Sequence, residues 1–176
     1  MLHIVHFNGT GGESILVDGF KLAEVIKEEN PDHYHILSTV PLSYHYSDKN
    51  NKYLSSFVPF TVNPESGKVF QVHFNNCDRL PIGATTMQTL HKVKPNGSIT
   101  DIYGAIQTFI RTMRENKYQC RFRLEPGRAV IFDNHRVLHA RTSFTERRRM
   151  CGGYVNREDW RSKAMMTRQR LKTCMA

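Results

Sequence analysis

The residues best suited to chemistry lie in Phe132-Asp-Asn-His-Arg-Val-Leu-His139-Ala-Arg141, followed by Arg148 and then Cys151-Gly-Gly-Tyr154. His139 sits in a short apolar strand pattern, where a stiff backbone can hold an imidazole toward a metal. Arg148, like Arg141, carries a planar guanidinium fork that can give a carboxylate two parallel hydrogen bonds. A facial triad for ferrous iron also needs a second histidine and a carboxylate, usually spaced His-x-Asp or His-x-Glu. None of the nine histidines is followed two residues later by Asp or Glu. The chain therefore reads as half of a metal site.

Blander readings stand beside each of these residues. A lone strand histidine is more often half-buried with one hydrogen bond than a ligand, and surface arginines are common. His135 falls four residues before His139 on what reads as the same strand face. Four strand residues separate two side chains by roughly 13 Å, too far for both to bind one metal. Arg141 shares the inward face of His139, two residues on. Arg147 and Arg149 flank Arg148, and alternation along a strand sends them to the opposite face.

The elements that must hold these groups follow in order. Leu2 to Val5 reads as a strand, Gly9-Thr-Gly-Gly12 as a turn, and Ser14-Ile-Leu-Val17 as a second strand. Asp18 stands where a helix N-cap belongs, and Leu22, Val25 and Ile26 form an apolar stripe ending at Asn30-Pro31. A second short helix is predicted near Asp32 to Ser38. Strand runs follow at Leu42 to Tyr46, Phe57 to Val62 and Val69 to Phe74, the last two joined by a hairpin turn at Asn63-Pro-Glu-Ser-Gly67. Ser98-Ile-Thr-Asp101 resembles a capping box opening what reads as the longest helix, with Ile102, Ile106, Phe109, Ile110 and Met113 on its buried face. Further strands are predicted at Tyr118 to Leu124, Ala129 to Phe132, Arg136 to Arg141 and Arg148 to Asn156. A helix from Glu158 to Met175 ends the chain. Many short strands with two or three helices suggest a β-sandwich or barrel with helices on one side.

Length and composition narrow the class. The 176 residues fit one domain, and 39% hydrophobic residues can supply its core. No apolar run approaches the roughly 20 residues a membrane span needs, which points to a soluble protein without a membrane partner. The N-terminus carries no secretory or organelle-transit pattern. A strand beginning at the first residues suggests that an upstream part precedes it. Cys77, Cys120, Cys151 and Cys174 lie far apart, which argues against a zinc knuckle or disulfide scaffold and suits a reducing, intracellular setting with free, partly buried thiols. Of the net charge of +9, residues 135–176 hold a net +8, from 11 Lys/Arg against 3 Asp/Glu. Such a tail raises nucleic acid as a partner. It has only Trp160 for base stacking, so a solvated basic helix plus anion-binding arginines is the better reading.

Three segments carry a family resemblance: Gly9-Thr-Gly-Gly-Glu-Ser-Ile-Leu-Val-Asp-Gly-Phe20, Phe74-Asn-Asn76, and Pro126-Gly-Arg-Ala-Val-Ile-Phe-Asp-Asn-His-Arg-Val-Leu-His-Ala-Arg141. They resemble the carnitine-biosynthesis dioxygenases, trimethyllysine dioxygenase and γ-butyrobetaine dioxygenase, within the taurine-dioxygenase superfamily. Val40-Pro-Leu42 and Arg149-Met-Cys-Gly-Gly-Tyr154 lean toward the trimethyllysine type. The likeness runs essentially from Leu2 to the final helix. It departs from the family at positions 135 and 140, where Trp and Gly are usual and this chain has His135 and Ala140.

The resemblance implies an α+β fold, a partial double-stranded β-helix (jelly roll) with flanking helices over residues 1–176. It implies His139 as an Fe(II) ligand, Arg148 with Arg141 for the 2-oxoglutarate carboxylate, and ascorbate as reductant. Tyr154 matches a position in an aromatic cage for a trimethylammonium group, and Asn75 with Asn76 beside it matches contacts to the substrate's polar end. Core tyrosine and strand-end turn are the competing readings of these three. The family's His-x-Asp is expected roughly fifteen residues before His3, outside this chain, so little turnover is expected of residues 1–176 alone. The implied partner is a small trimethylammonium substrate, with a homodimer left open. The implied location is mitochondrial, with the cytosol as the alternative. A non-catalytic truncated paralogue serving as a partner subunit and a basic nucleic-acid module are the competing functions.

Overall fold

The computed structural model describes residues 1–174, with the side chain of Cys174 outside the description along with the last two residues. Two compact units emerge. One comprises Met1–Gly11, Leu124–Phe132 and the chain from Phe144 onward, and the other Gly12–Arg123 with Asp133–Ser143.

The larger unit is built on a three-stranded antiparallel sheet, β2 (Ser14–Asp18) at its centre between β7 (Gln119–Phe122) and β9 (Val137–Arg141). Two hairpins complete its strands, β3 (Leu42–Ser47) with β4 (Lys52–Phe57) and β5 (Phe60–Val62) with β6 (Val69–Val72). Its helices are α1 (Gly19–Glu29), α2 (Pro31–Thr39), α3 (Ala84–Val93) and α4 (Ile99–Arg114).

Local chemistry explains where these elements begin and end. The Asp18 carboxylate accepts from the amides of Phe20 (3.1 Å) and Lys21 (3.4 Å), capping α1 as the sequence predicts. Asn30 ends α1, and its side chain accepts from His33 N–H (3.2 Å) to start α2, where Pro31 loses nothing by lacking an N–H. At α4 the Asp101 carboxylate takes the Ser98 amide (2.7 Å), the returning half of a capping box. Leu22, Ile26, Leu37, Leu42, Phe60, Leu90, Ile102 and Phe109 are sealed into one core, with Phe60 and Phe74 edge-on to Phe109 at 4.9 and 5.0 Å. The Asn63–Gly67 hairpin turn forms where expected: Gly67, in the left-handed region at φ 65°, donates to Asn63 O (2.9 Å).

The smaller unit holds a second antiparallel sheet, β1 (Leu2–Phe7) between β10 (Arg148–Gly152) and β8 (Ala129–Val130). β1 and β10 keep register except at Val5, which bulges between Ile4 and His6. Ile4 and Phe7 are its buried residues on β1. Gly9 allows the chain to pass Thr145 closely, since a Cβ there would lie 2.0 Å from the Thr145 carbonyl oxygen. The unit ends with α5 (Arg157–Cys174), whose Trp160, Met165, Met166 and Leu171 are all exposed.

The α+β expectation holds, but the strands form four separate sheets of two or three strands, and no closed barrel is found among the described residues. Several boundaries differ from expectation. β4 and α3 went unread, because β4 is exposed from Lys52 to Ser56 without alternation and α3 buries only Thr86 and Leu90. Pro59 separates Phe57 from Phe60, splitting the single run expected over 57–62. Strand pairing ends at Val130 and Gly152 rather than at Phe132 and Asn156. The longest helix is α5 at 18 residues, not α4 at 16. The thiols of Cys77, Cys120 and Cys151 are free but exposed rather than partly buried. No helix among the described residues is long and apolar enough to cross a membrane.

Candidate functional site

His139 is carried by β9, an edge strand opposite Leu16 of β2. Strand alternation divides β9: Leu138 packs against the core, while His139 and Arg141 face outward together and are exposed. The His139 Nδ1 lies 3.4 Å from the Val137 carbonyl, a long contact. With Nδ1 as the donor, Nε2 keeps its lone pair, the arrangement a metal-binding imidazole needs.

His135 does not share that strand, contrary to the sequence reading. Asp133 folds the chain into a turn first: its carboxylate accepts from His135 N–H (2.9 Å), and its carbonyl from Arg136 (3.0 Å) and Val137 (2.8 Å). The turn points the His135 ring at β6, where Nδ1 lies 2.5 Å from the Gln71 amide nitrogen and the ring meets His73 at 6.1 Å. Burial first, and then the neighbouring His135, hold His73 below the usual imidazole range. Its ring also lies 4.5 Å from Phe57, which stacks on Tyr44 at 4.4 Å. An aromatic row thus runs from β3 to the turn that introduces β9.

That turn is fastened to the start of α1. Arg136 grips Asp18 with two donors, Nε to Oδ1 (3.0 Å) and Nη2 to Oδ2 (2.5 Å), and its guanidinium lies 5.3 Å from the Phe20 ring. Gly19 N–H donates to the Arg136 carbonyl (2.8 Å), and a Cβ on Gly19 would sit 2.8 Å from that oxygen. The Asp-Gly pair therefore sets the entry of the strand that bears His139.

Asn75 and Asn76 lie in the exposed loop after β6. Asn75 donates to Asp78 (2.5 Å) and accepts from Cys77 N–H (3.0 Å), while Asn76 Oδ1 accepts from Arg79 Nε (3.2 Å). Both amides thus shape the loop itself. Arg79 was not singled out in the sequence, nor were Tyr103 and Gln107 on the solvent side of α4. The signal was present in an exposed aromatic and an amide on an otherwise amphipathic helix.

In the smaller unit, Arg148 differs from its two arginine neighbours. Arg147 and Arg149 are exposed, whereas Arg148 is half-buried and its Nε is sealed from solvent. Its guanidinium carbon lies 5.7 Å from the Phe7 ring and 5.9 Å from the Phe144 ring, and those rings meet edge-on at 5.8 Å. The two aromatic faces restrain the guanidinium through cation–π contact. Tyr154, two residues beyond β10, is 86% exposed and presents an open ring face.

The structure thus brings His139 and Arg141 together on one strand face. Among the described residues, no group of three or more His, Cys, Asp and Glu is arranged to hold a metal ion. One outward imidazole fits one position of an iron site and falls short of the whole.

Comparison with known proteins gives this geometry a context. The family model described as "Taurine catabolism dioxygenase TauD, TfdA family" matches residues 1–154. A trimethyllysine dioxygenase of Neurospora crassa is 37% identical over 158 residues, 87% of this chain and 31% of that protein. "Trimethyllysine dioxygenase, mitochondrial" of Gallus gallus is 32% identical over 163 residues, covering 90% of this chain and 37% of that protein. A gamma-butyrobetaine dioxygenase of Pseudomonas sp. (strain AK-1) is 32% identical over 168 residues, 94% of this chain and 41% of that protein. The chain spans between 31% and 41% of the length of these curated relatives.

Proposed function

We propose, on the premise that the chain belongs to the TauD/TfdA dioxygenase family, that it is part of an Fe(II)- and 2-oxoglutarate-dependent dioxygenase. The proposed substrate is a trimethylammonium amino acid of carnitine biosynthesis, trimethyllysine ahead of γ-butyrobetaine. The fold proposed for the whole catalytic domain is a jelly roll, of which residues 1–176 supply the C-terminal part, and the proposed location is mitochondrial.

The observation that carries this reading is Arg148, a half-buried cation restrained by Phe7 and Phe144 between two exposed arginines. A guanidinium whose plane is set by two flanking rings is positioned to give an incoming carboxylate two parallel hydrogen bonds. Arg148 would hold the distal carboxylate of 2-oxoglutarate, with Arg141 as the second candidate. His139 would give the iron one imidazole, Asn75 and Asn76 would meet the polar end of the substrate, and Tyr154 would offer a face to the trimethylammonium group. When bound, iron supplies the oxygen chemistry, and the protein contributes orientation and electrostatics. One imidazole does not retain ferrous iron, so the remaining ligands would come from residues other than those described. Little or no turnover is expected of these residues alone.

The test is a titration of the chain with 2-oxoglutarate, followed by calorimetry. Arg148→Ala is expected to weaken binding about tenfold or more. Unchanged affinity in both Arg148→Ala and Arg141→Ala would remove the carboxylate assignment. Sustained, 2-oxoglutarate-dependent succinate release with trimethyllysine by residues 1–176 would refute the expectation of inactivity. The single imidazole also favours a second reading, a non-catalytic partner subunit. That reading predicts stable association with a full-length relative.

A further inference from the structure

The segment Asn76–Leu80 runs beside β3 like a short extra strand. His45 N–H donates to the Asp78 carbonyl (2.9 Å), Leu80 N–H to the Ser43 carbonyl (2.8 Å), and Tyr44 bridges Arg79. This backbone pairing fixes the base of the Arg79 side chain. Opposite it, α4 buries Ile102, Ala105 and Phe109 and leaves Tyr103 and Gln107 exposed. Between the two lies an open depression of about 440 Å³, lined by Asn76, Arg79, Tyr103, Gln107, Ile106 and Ile110 among others.

Among the described residues, the contacts of the Arg79 guanidinium are with neutral groups. Nε donates to Asn76 Oδ1 (3.2 Å), Nη1 donates to the Leu80 carbonyl (3.3 Å), and the ring of Tyr103 lies 5.3 Å from the guanidinium carbon. These contacts set the plane of the fork and leave Nη2 uncommitted. The contrast with Arg136 is direct, because that guanidinium is closed off by the Asp18 carboxylate. Across the depression, the Gln107 amide makes no hydrogen bond among the described residues, while the largely buried Ile106 and the half-buried Ile110 form its apolar floor.

We propose that this depression is a binding site for a small aliphatic carboxylate, with Arg79 as the anion anchor. The planar fork selects a carboxylate, the isoleucines and the Tyr103 ring take a short hydrocarbon chain, and Gln107 serves a second polar group such as an α-ammonium. A single cation suits a monoanion better than a phosphate dianion. The lining contains none of His139, Arg141 or Arg148 and shares only Asn76 with the residues proposed above to meet the dioxygenase substrate, so the Arg79 anchor can be tested separately from that reading.

The test is an NMR titration of the full chain, labelled with nitrogen-15, against three probes of equal chain length: hexanoate, 2-aminohexanoate and hexylammonium. The two carboxylates are expected to move the Arg79 Nε–H signal and the amides of residues 103–110 saturably, and hexylammonium to leave them in place. Arg79→Gln should weaken carboxylate binding about tenfold or more, and Arg79→Lys less, since it keeps the charge and loses the fork. Gln107→Trp, at an exposed position that leaves the core untouched, should block binding by filling the depression. Arg148→Ala should bind the carboxylates as the parent does, whatever its effect on 2-oxoglutarate. Absence of saturable shifts, equal binding of hexylammonium, or unchanged binding in Arg79→Gln or Gln107→Trp would each overturn the proposal.

Discussion

Asp18 is the residue whose removal should most clearly expose how the His139 strand is held. Its carboxylate does two jobs, capping α1 through the Phe20 and Lys21 amides and pairing with Arg136 at the entry to β9. An aspartate cap is worth about 1 kcal/mol. The ion pair is 39% exposed on the aspartate side and 51% on the arginine side, so solvent screening limits it to about 0.5–1 kcal/mol even with two donors. Asp18→Ala should therefore cost about 1.5–2 kcal/mol in urea unfolding at pH 7. Asp18→Asn keeps an oxygen for the amides and should lose only the charge, about 0.5–1 kcal/mol.

The pH dependence follows from the same contacts. The Arg136 hydrogen bond, aided by the Lys21 and Phe20 amides and opposed by partial burial, holds the Asp18 carboxyl below its ordinary 3.8. A carboxyl depressed in the folded state contributes its stability above the unfolded value and loses it as pH falls through the folded one. The penalty of Asp18→Ala should thus be full at pH 7 and shrink once the pH drops below 3.8. Hydrogen exchange at Val137 to His139 should quicken in the same variant, since the entry of the strand is loosened. Equal losses for Asp18→Ala and Asp18→Asn at pH 7, or a penalty that stays constant into acid, would refute this account.

Other perturbations have equally definite expectations. Phe109→Ala removes a fully buried ring that meets Phe60 and Phe74 edge-on and should cost about 3–5 kcal/mol in the same urea assay. The Tyr44 hydroxyl is buried without a hydrogen-bond partner, so Tyr44→Phe should be neutral or stabilising by up to about 1 kcal/mol. Burial pushes the Tyr44 phenol up to about 12, against the opposing Arg79 charge. Above the ordinary 10.0 the unfolded phenol ionises while the buried one stays neutral, so stability falls as pH rises from 10.0 toward 12. Tyr44→Phe should not show this loss, and its ultraviolet titration should lack that raised phenol transition. Lys94 first, and then Ser98, hold the Asp101 carboxyl down at about 2. Asp101→Asn should lower the melting temperature at neutral pH, by a difference that fades between pH 3.8 and 2.

Much of the local structure was legible wherever short-range chemistry decides it. The caps at Asp18 and Asn30-Pro31 and the Asn63–Gly67 turn follow from what their own backbones require. The strand expected over Arg136 to Arg141 formed as β9, starting one residue later. Its neighbourhood was harder to read, because Asp133 diverts the chain into a turn and sends His135 toward Gln71 and His73 instead of along β9. β4 and α3 were missed for a related reason, since neither buries a regular apolar face.

The sequence by itself determined where most helices and turns begin, since capping and strand alternation act within a few residues of the chain. It could not decide which of three consecutive arginines is withdrawn from water. That choice depends on Phe7 and Phe144, residues far from Arg148 in sequence or on a separate turn, which close around one guanidinium only when β1 pairs with β10. The same holds for Arg79, whose charge faces Tyr103 and an open depression because β3 and α4 flank it. Burial and charge pairing are properties of distant segments meeting, and only the tertiary structure brings them together.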